Sequence, residues 1–98
     1  MTSGIHANIS RAVNARRQLF VPPHDTAFRL FNGFAEGNKN YIIDVFGRSA
    51  VINDYSSDTD TAKATAIAEQ VRNETGFIDT AIHKIRKAHD AIDRNGIL

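Results

Sequence analysis
Residues 28–55 read FRLFNGFAEGNKNYIIDVFGRSAVINDY, three short apolar runs separated by glycine-bearing turns. The pattern predicts a small antiparallel sheet. Gly47 and Arg48 join two of the runs directly, with glycine first, which is the signature of a type II′ hairpin. GFAEGNKN, between the other two, is turn-like in composition. Connections this short favour antiparallel neighbours, so the runs over 27–32, 41–46 and 49–55 form a meander.

Helical patterns flank the sheet. Over residues 3–20, Ile5, Ile9, Ala12, Val13, Arg16 and Phe20 follow helical spacing, Ser3 stands where a cap belongs, and Arg16 extends the stripe with its aliphatic stem. Pro22 and Pro23 stop that helix. A second helix begins from Ser57, with Asp60 three residues on in a capping-box-like start, and Asp58 and Asp60 facing the positive helix end. Ala64, Ile67, Ala68 and Val71 form its apolar face, and Gly76 sits where a C′ glycine belongs. The last segment, FIDTAIHKIRKAHDAIDRNGIL, is ambiguous. Ile78, Ala81, Ile82, Ile85 and Ile92 match helical spacing, yet Ile78, Ile82 and Ile85 are β-branched and suit a strand; periodicity alone favours helix.

With 98 residues, 42% of them apolar, the chain holds one modest core. Cysteine is absent, which excludes disulfides and thiolate metal sites. No run is apolar enough for a membrane span or a secretory leader, so a soluble cytoplasmic protein is expected. The net charge of +1 points to no partner. Its distribution is uneven: Arg11, Arg16 and Arg17 stand in an acid-free start, and residues 83–87 read HKIRK. Such asymmetry is first read as a solvated surface. The chain stops at Gly96, Ile97 and Leu98, where a new apolar run is just beginning; a strand's first residues lack partners, so a segment of a longer protein is expected.

No catalytic constellation is visible, and no cofactor or metal site. His6, His24, His83 and His89 are scattered, without the spacing of a zinc site or a neighbouring nucleophile, and read as surface histidines. Gly33, Gly37 and Gly47 do not make a dinucleotide fingerprint. Arg29 and Asp44 each interrupt an apolar run on adjacent strands, and a half-buried charge needs a partner, so a cross-strand ion pair is favoured over an arginine reaching for phosphate. Phe28, Phe31, Phe34, Tyr41 and Phe46 are read mostly as core, with a base-stacking platform as the alternative. Lys84, Arg86 and Lys87 form the densest basic cluster. On a strand Lys84 and Arg86 share a face, suited either to a nucleic-acid backbone or to guarding an exposed edge.

RLFNGFAEG followed by YIIDVFG resembles the substrate-side N-terminal region, PUA-like and β-β-β-α-β, of bacterial class I S-adenosylmethionine-dependent methyltransferases of the ribosomal RNA cytosine-5 type. Arg29, Asn32, Gly33, Glu36 and Gly37 match that family's R-x-x-N-G-x-x-(D/E)-G run. Ile42, Ile43, Asp44, Phe46 and Gly47 match its apolar-apolar-Asp-x-aromatic-Gly strand. Lys84, Ile85 and Arg86 match a K-x-R strand motif, and residues 94–98 resemble an R-x-G-x-L turn. The resemblance implies that residues 78–87 are strand, against their periodicity. It covers residues 24–98. The family's front PUA domain is replaced by the arginine-bearing helix, and the Rossmann-like catalytic domain has no counterpart in these residues, so no catalytic residue carries over.

The expected fold is α+β: an N-terminal helix and Pro-Pro linker over 1–23, then a three-stranded antiparallel meander, one helix packed on the sheet and a fourth strand over 24–98. The expected role is an accessory, RNA-positioning module of an rRNA methyltransferase, itself without catalysis, whose parent would use S-adenosylmethionine. Lys84, Arg86 and Lys87 are the first RNA-binding candidates, and Arg11, Arg16 and Arg17 the second. The downstream methyltransferase domain would be a partner in cis. The rival reading is a structural domain docked on that methyltransferase domain without RNA contact. A third is a free-standing small-ligand domain, which needs a preformed apolar pocket.

Overall fold
The computed structural model describes residues 4–86 and the backbone of residues 94–97. Helix α1 (Ile5–Ala15) buries Ile5, Ile9, Ala12 and Val13 along one side, as the spacing predicts. It is shorter than the expected 3–20. Gly4 holds the N-cap position with no side-chain cap, and Ser3 lies outside the described residues. The helix ends before the prolines, giving way to a 3-10 turn (Arg17–Leu19). Arg16 shows how this end is closed. Its amide bonds to Val13 instead of Ala12, and its guanidinium donates to the orphaned Ala12 carbonyl at 3.1 Å.

Strands β1 (Ala27–Asn32), β2 (Tyr41–Phe46) and β3 (Ser49–Asp54) form the expected antiparallel meander. Gly47 turns β2 into β3 with φ of +61°, the left-handed position a type II′ turn requires. Between β1 and β2 the chain makes one helical turn, α2 (Gly33–Glu36), where only turn structure was expected. A Cβ on Gly33 would lie 1.9 Å from the Asn38 carbonyl oxygen, so no larger residue fits.

Helix α3 (Thr61–Thr75) starts later than Ser57 suggests. Asp60 is its N-cap, accepting from the Lys63 amide at 3.1 Å, because Ser56 is tied back to the Asp54 carboxylate and the chain turns helical only afterwards. Gly76 closes the helix in the left-handed conformation, as expected. Strand β4 (Thr80–Ile85) then runs parallel to β3, so strand geometry overrides the helical periodicity of that segment. A further strand, β5 (Arg94–Ile97), pairs antiparallel with β4 and extends the expected four strands to five, in the order β1-β2-β3-β4-β5.

Both long helices lie on one face of this sheet. Ile9, Val13, Ile67 and Val71 pack there against Phe31, Ile43, Val45, Ala50 and Ile52. Ser10 of α1 donates to Glu74 of α3 at 2.7 Å, and Gln70 bonds back to α1. A bulge at Leu30 lets β1 contribute two consecutive residues, Leu30 and Phe31, to the interior.

Strand β1 is a sheet edge, and the Arg16–Glu36 pair covers it. Arg16 donates to the Arg29 carbonyl at 2.7 Å, and the Glu36 carboxylate accepts from the Asn32 amide at 3.0 Å, while the two side chains bond to each other. Burial pushes the Glu36 pKa up, but the Arg16 hydrogen bond, the Asn32 amide and the Arg16 charge outweigh it, leaving the carboxyl below its ordinary 4.5. A depressed carboxyl stabilises the fold fully above that ordinary value, and the contribution is lost as pH falls through the folded value. Thermal melts from about pH 7 to about pH 3 should therefore fall less steeply for Glu36→Gln than for the parent. Identical acid limbs would refute the clamp.

Candidate nucleic-acid interface
The sheet face away from the helices carries the alternate residues of each strand. Arg29 stands directly opposite Asp44, and its Nε donates to Asp44 Oδ1 at 2.8 Å. Asp44 Oδ2 accepts from the Asn53 amide at 3.2 Å, and Asn53 Oδ1 accepts from Arg86 Nε at 3.1 Å. Asn53 also donates to the Ile42 carbonyl at 3.1 Å. A row of four polar side chains thus crosses the open face from β1 to the end of β4. Lys84, in register with Asn53, stands beside it. Arg29, Lys84 and Arg86 outnumber Asp44, so the described strand side chains of this face are net cationic.

Arg29 and Asp44 form a cross-strand pair between β1 and β2. The arginine side chain is 51% exposed and the aspartate 22%. Its hydrogen bond to Asp44, followed by the Asp44 charge, raises the Arg29 pKa further, so the guanidinium stays charged. An exposed pair of this kind contributes about 0–1 kcal/mol.

The remaining candidates divide by face. Arg11, Arg16 and Arg17 belong to the helical layer or its end, across the sheet from Lys84 and Arg86. Arg16 is engaged in the edge clamp, and Arg17 donates to Asn14 and to the Glu74 carbonyl. Lys87 lies outside the described residues. The aromatic residues divide too: Phe31 and Tyr41 are buried and Phe28 packs on the core, but Phe34 and Phe46 are exposed.

His83 is not a surface histidine. It is 4% exposed on the helical side, and its Nε2 lies 2.8 Å from the carboxylate of fully buried Asp54. Composition could not show this; the parallel register that puts His83 beside Ile52 does. His6 is exposed against Gln70, His24 stacks on Phe77 at 4.3 Å, and His89 lies outside the described residues. Two residues of the open face, Asn53 and Tyr55, drew no attention in the sequence, although continuing the β3 alternation from Val51 points to both.

Among the described residues no group of three or more metal-ligating side chains converges. The connection from β3 to α3, residues 55–60, contains no glycine and brings Asp58 and Asp60 to the helix start, which does not fit an anionic or nucleotide-like cofactor. No described helix is long and apolar enough to cross a membrane.

No protein-family profile and no curated protein matches the chain. Solved structures do. A proposed S-adenosylmethionine-dependent methyltransferase from Streptococcus mutans superposes with a TM-score of 0.67 at 19% identity, over 98% of this chain and 26% of that one. SMU.776, a proposed methyltransferase solved with SAH, superposes with a TM-score of 0.65 at 18% identity, over 100% of this chain and 31% of that one. The chain therefore has the fold of one part of these methyltransferases, and spans a quarter to a third of their length.

Two carboxylates with different surroundings separate the structural roles. His83→Ala, which strands a buried carboxylate, should cost about 3 kcal/mol in denaturant unfolding. Asp44→Ala should cost no more than about 1 kcal/mol. The reverse order would contradict the burial of the two pairs.

Proposed function
We propose that the chain is the accessory module of a cytoplasmic, S-adenosylmethionine-dependent ribosomal RNA methyltransferase and that its open sheet face holds RNA substrate. The observation that carries the reading is the cationic row on a sheet face that no described helix covers. Lys84 and Arg86 present charge to a phosphate backbone, the sequence-independent part of nucleic-acid affinity. The likeness to part of two methyltransferases supports a role beside a catalytic domain. Methyl transfer and cofactor binding would belong to that domain, because the β3–α3 connection here does not suit the cofactor.

A second reading has its own support. Val51 and Ile82 are half-buried on the same face and Phe46 is 56% exposed, which suits docking on a methyltransferase domain.

An RNA titration at two salt concentrations separates them. RNA holding predicts affinity that falls with salt at a slope of roughly −0.7 per single-strand phosphate contact. Replacing Lys84 and Arg86 by alanine should flatten the slope by about one to two units. Unaltered slope in a folded double variant would remove these two residues from the interface, and absence of binding would favour docking.

A further inference from the structure
We propose that the open sheet face is a stacking platform for unpaired RNA bases, with Phe46 at one end, Tyr55 and Phe34 at the other, and Arg29 between them. The inference rests on the RNA reading above and specifies which RNA and which contacts.

Five large apolar residues are exposed among the described ones: Leu19, Val21, Phe34, Phe46 and Tyr55. The two aliphatic ones lie on the connection from α1 to β1. Phe46 and Tyr55 fall on the open face by strand alternation, and Phe34 meets Tyr55 from α2. Phe46 shares its side of β2 with Asp44 and Ile42. Tyr55 continues the β3 alternation past Asn53, and its amide donates to the Asn40 carbonyl at 2.8 Å. Phe34 projects from α2 with its ring centroid 6.3 Å from that of Tyr55. Phe34, Phe46 and Tyr55 are 68%, 56% and 45% exposed, which leaves them within reach of a ligand.

Their arrangement selects the ligand. A protein-docking surface has an apolar centre inside a polar rim. Here the exposed aromatic residues stand at the two ends, and the Arg29–Asp44–Asn53–Arg86 row crosses the face between them beside Ile42, Val51 and Ile82. Tyr55 pairs with Asn40, six positions from Phe46 on β2, which separates the two ends by about 20 Å at strand rise. Rings set apart along a cationic track match a single strand, whose bases stack successively while its phosphates meet lysine and arginine. A paired A-form helix keeps its bases out of reach of such rings. Arg29, held in place by Asp44, adds a planar cation on which a base can also stack.

The test uses this chain with three probes: an unstructured single-stranded oligouridylate, a duplex of equal length, and an abasic strand of equal length. Phe46→Leu and Tyr55→Leu keep apolar bulk at exposed sites, and circular dichroism checks their folding. The proposal predicts preference for the uridylate over both other probes, and a loss of roughly fivefold or more in its affinity for each ring removed. The salt slope should stay as in the parent. The chain has no tryptophan and two tyrosines, of which Tyr41 is buried, so uridylate should quench emission from Tyr55 and lose that effect in Tyr55→Leu. Equal binding of uridylate and abasic strand, or ring variants with parental affinity, would overturn stacking while leaving RNA holding intact. Failure of the parent to bind any of the probes would overturn both.

Discussion

A strand that returns parallel to its neighbour needs a crossover, and the crossover covers only one side of the sheet. That constraint, imposed where β3 passes through α3 into β4, organises this molecule. Helix α1 joins α3 on the covered side, where Ser10, Gln70 and Glu74 link the two. All of the largest buried side chains serve that side or the interior of the strands. The other side carries polar and aromatic residues beside Ile42, Val51 and Ile82, and no described helix lies on it. The proposed function builds on that asymmetry, since an RNA-holding surface needs cationic side chains and exposed rings on one face.

Each side has its own electrostatic logic. On the covered side, Asp54 and His83 bring a carboxylate and an imidazole out of water together, and two bonds from Ser56 complete the carboxylate's partners. Such a group is costly to leave half-satisfied, so it anchors β3 to β4 at the end where the crossover leaves β3. On the open side, Arg29, Asp44, Asn53 and Arg86 form a longer chain of bonds that runs from half-exposed Arg29 through buried Asn53. Arg16 and Glu36 work at the boundary, covering the exposed edge of β1.

Much of the sheet was legible because short connections leave few registers. Residues 47 and 48 alone fix β2 against β3, and Arg29 opposite Asp44 follows once β1 joins them. Distant contacts were not legible. The bulge at Leu30, which buries Leu30 and Phe31 together, has no turn residue to announce it. His83 looks solvent-facing until β4 is laid parallel to β3. Arg16 reads as a candidate RNA contact in a basic segment, but Glu36, twenty positions on, engages it. Ser57 and Asp60 are both good caps, and what decided between them was the hold of Asp54 on Ser56. The open-face site was half visible: Lys84 and Arg86 stood out as charge, while the exposed rings could not be sorted from core aromatics until each strand had an inside.

The central claim is that RNA meets the sheet on its uncovered side. Backbone amide shifts recorded during titration with a single-stranded oligoribonucleotide test it without any substitution. Changes concentrated at Arg29, Phe46, Asn53, Tyr55 and Lys84, with the amides of Arg11, Asn14 and Arg17 unmoved, are the predicted result. Shifts gathered along α1 instead, or none anywhere on the sheet, would contradict it.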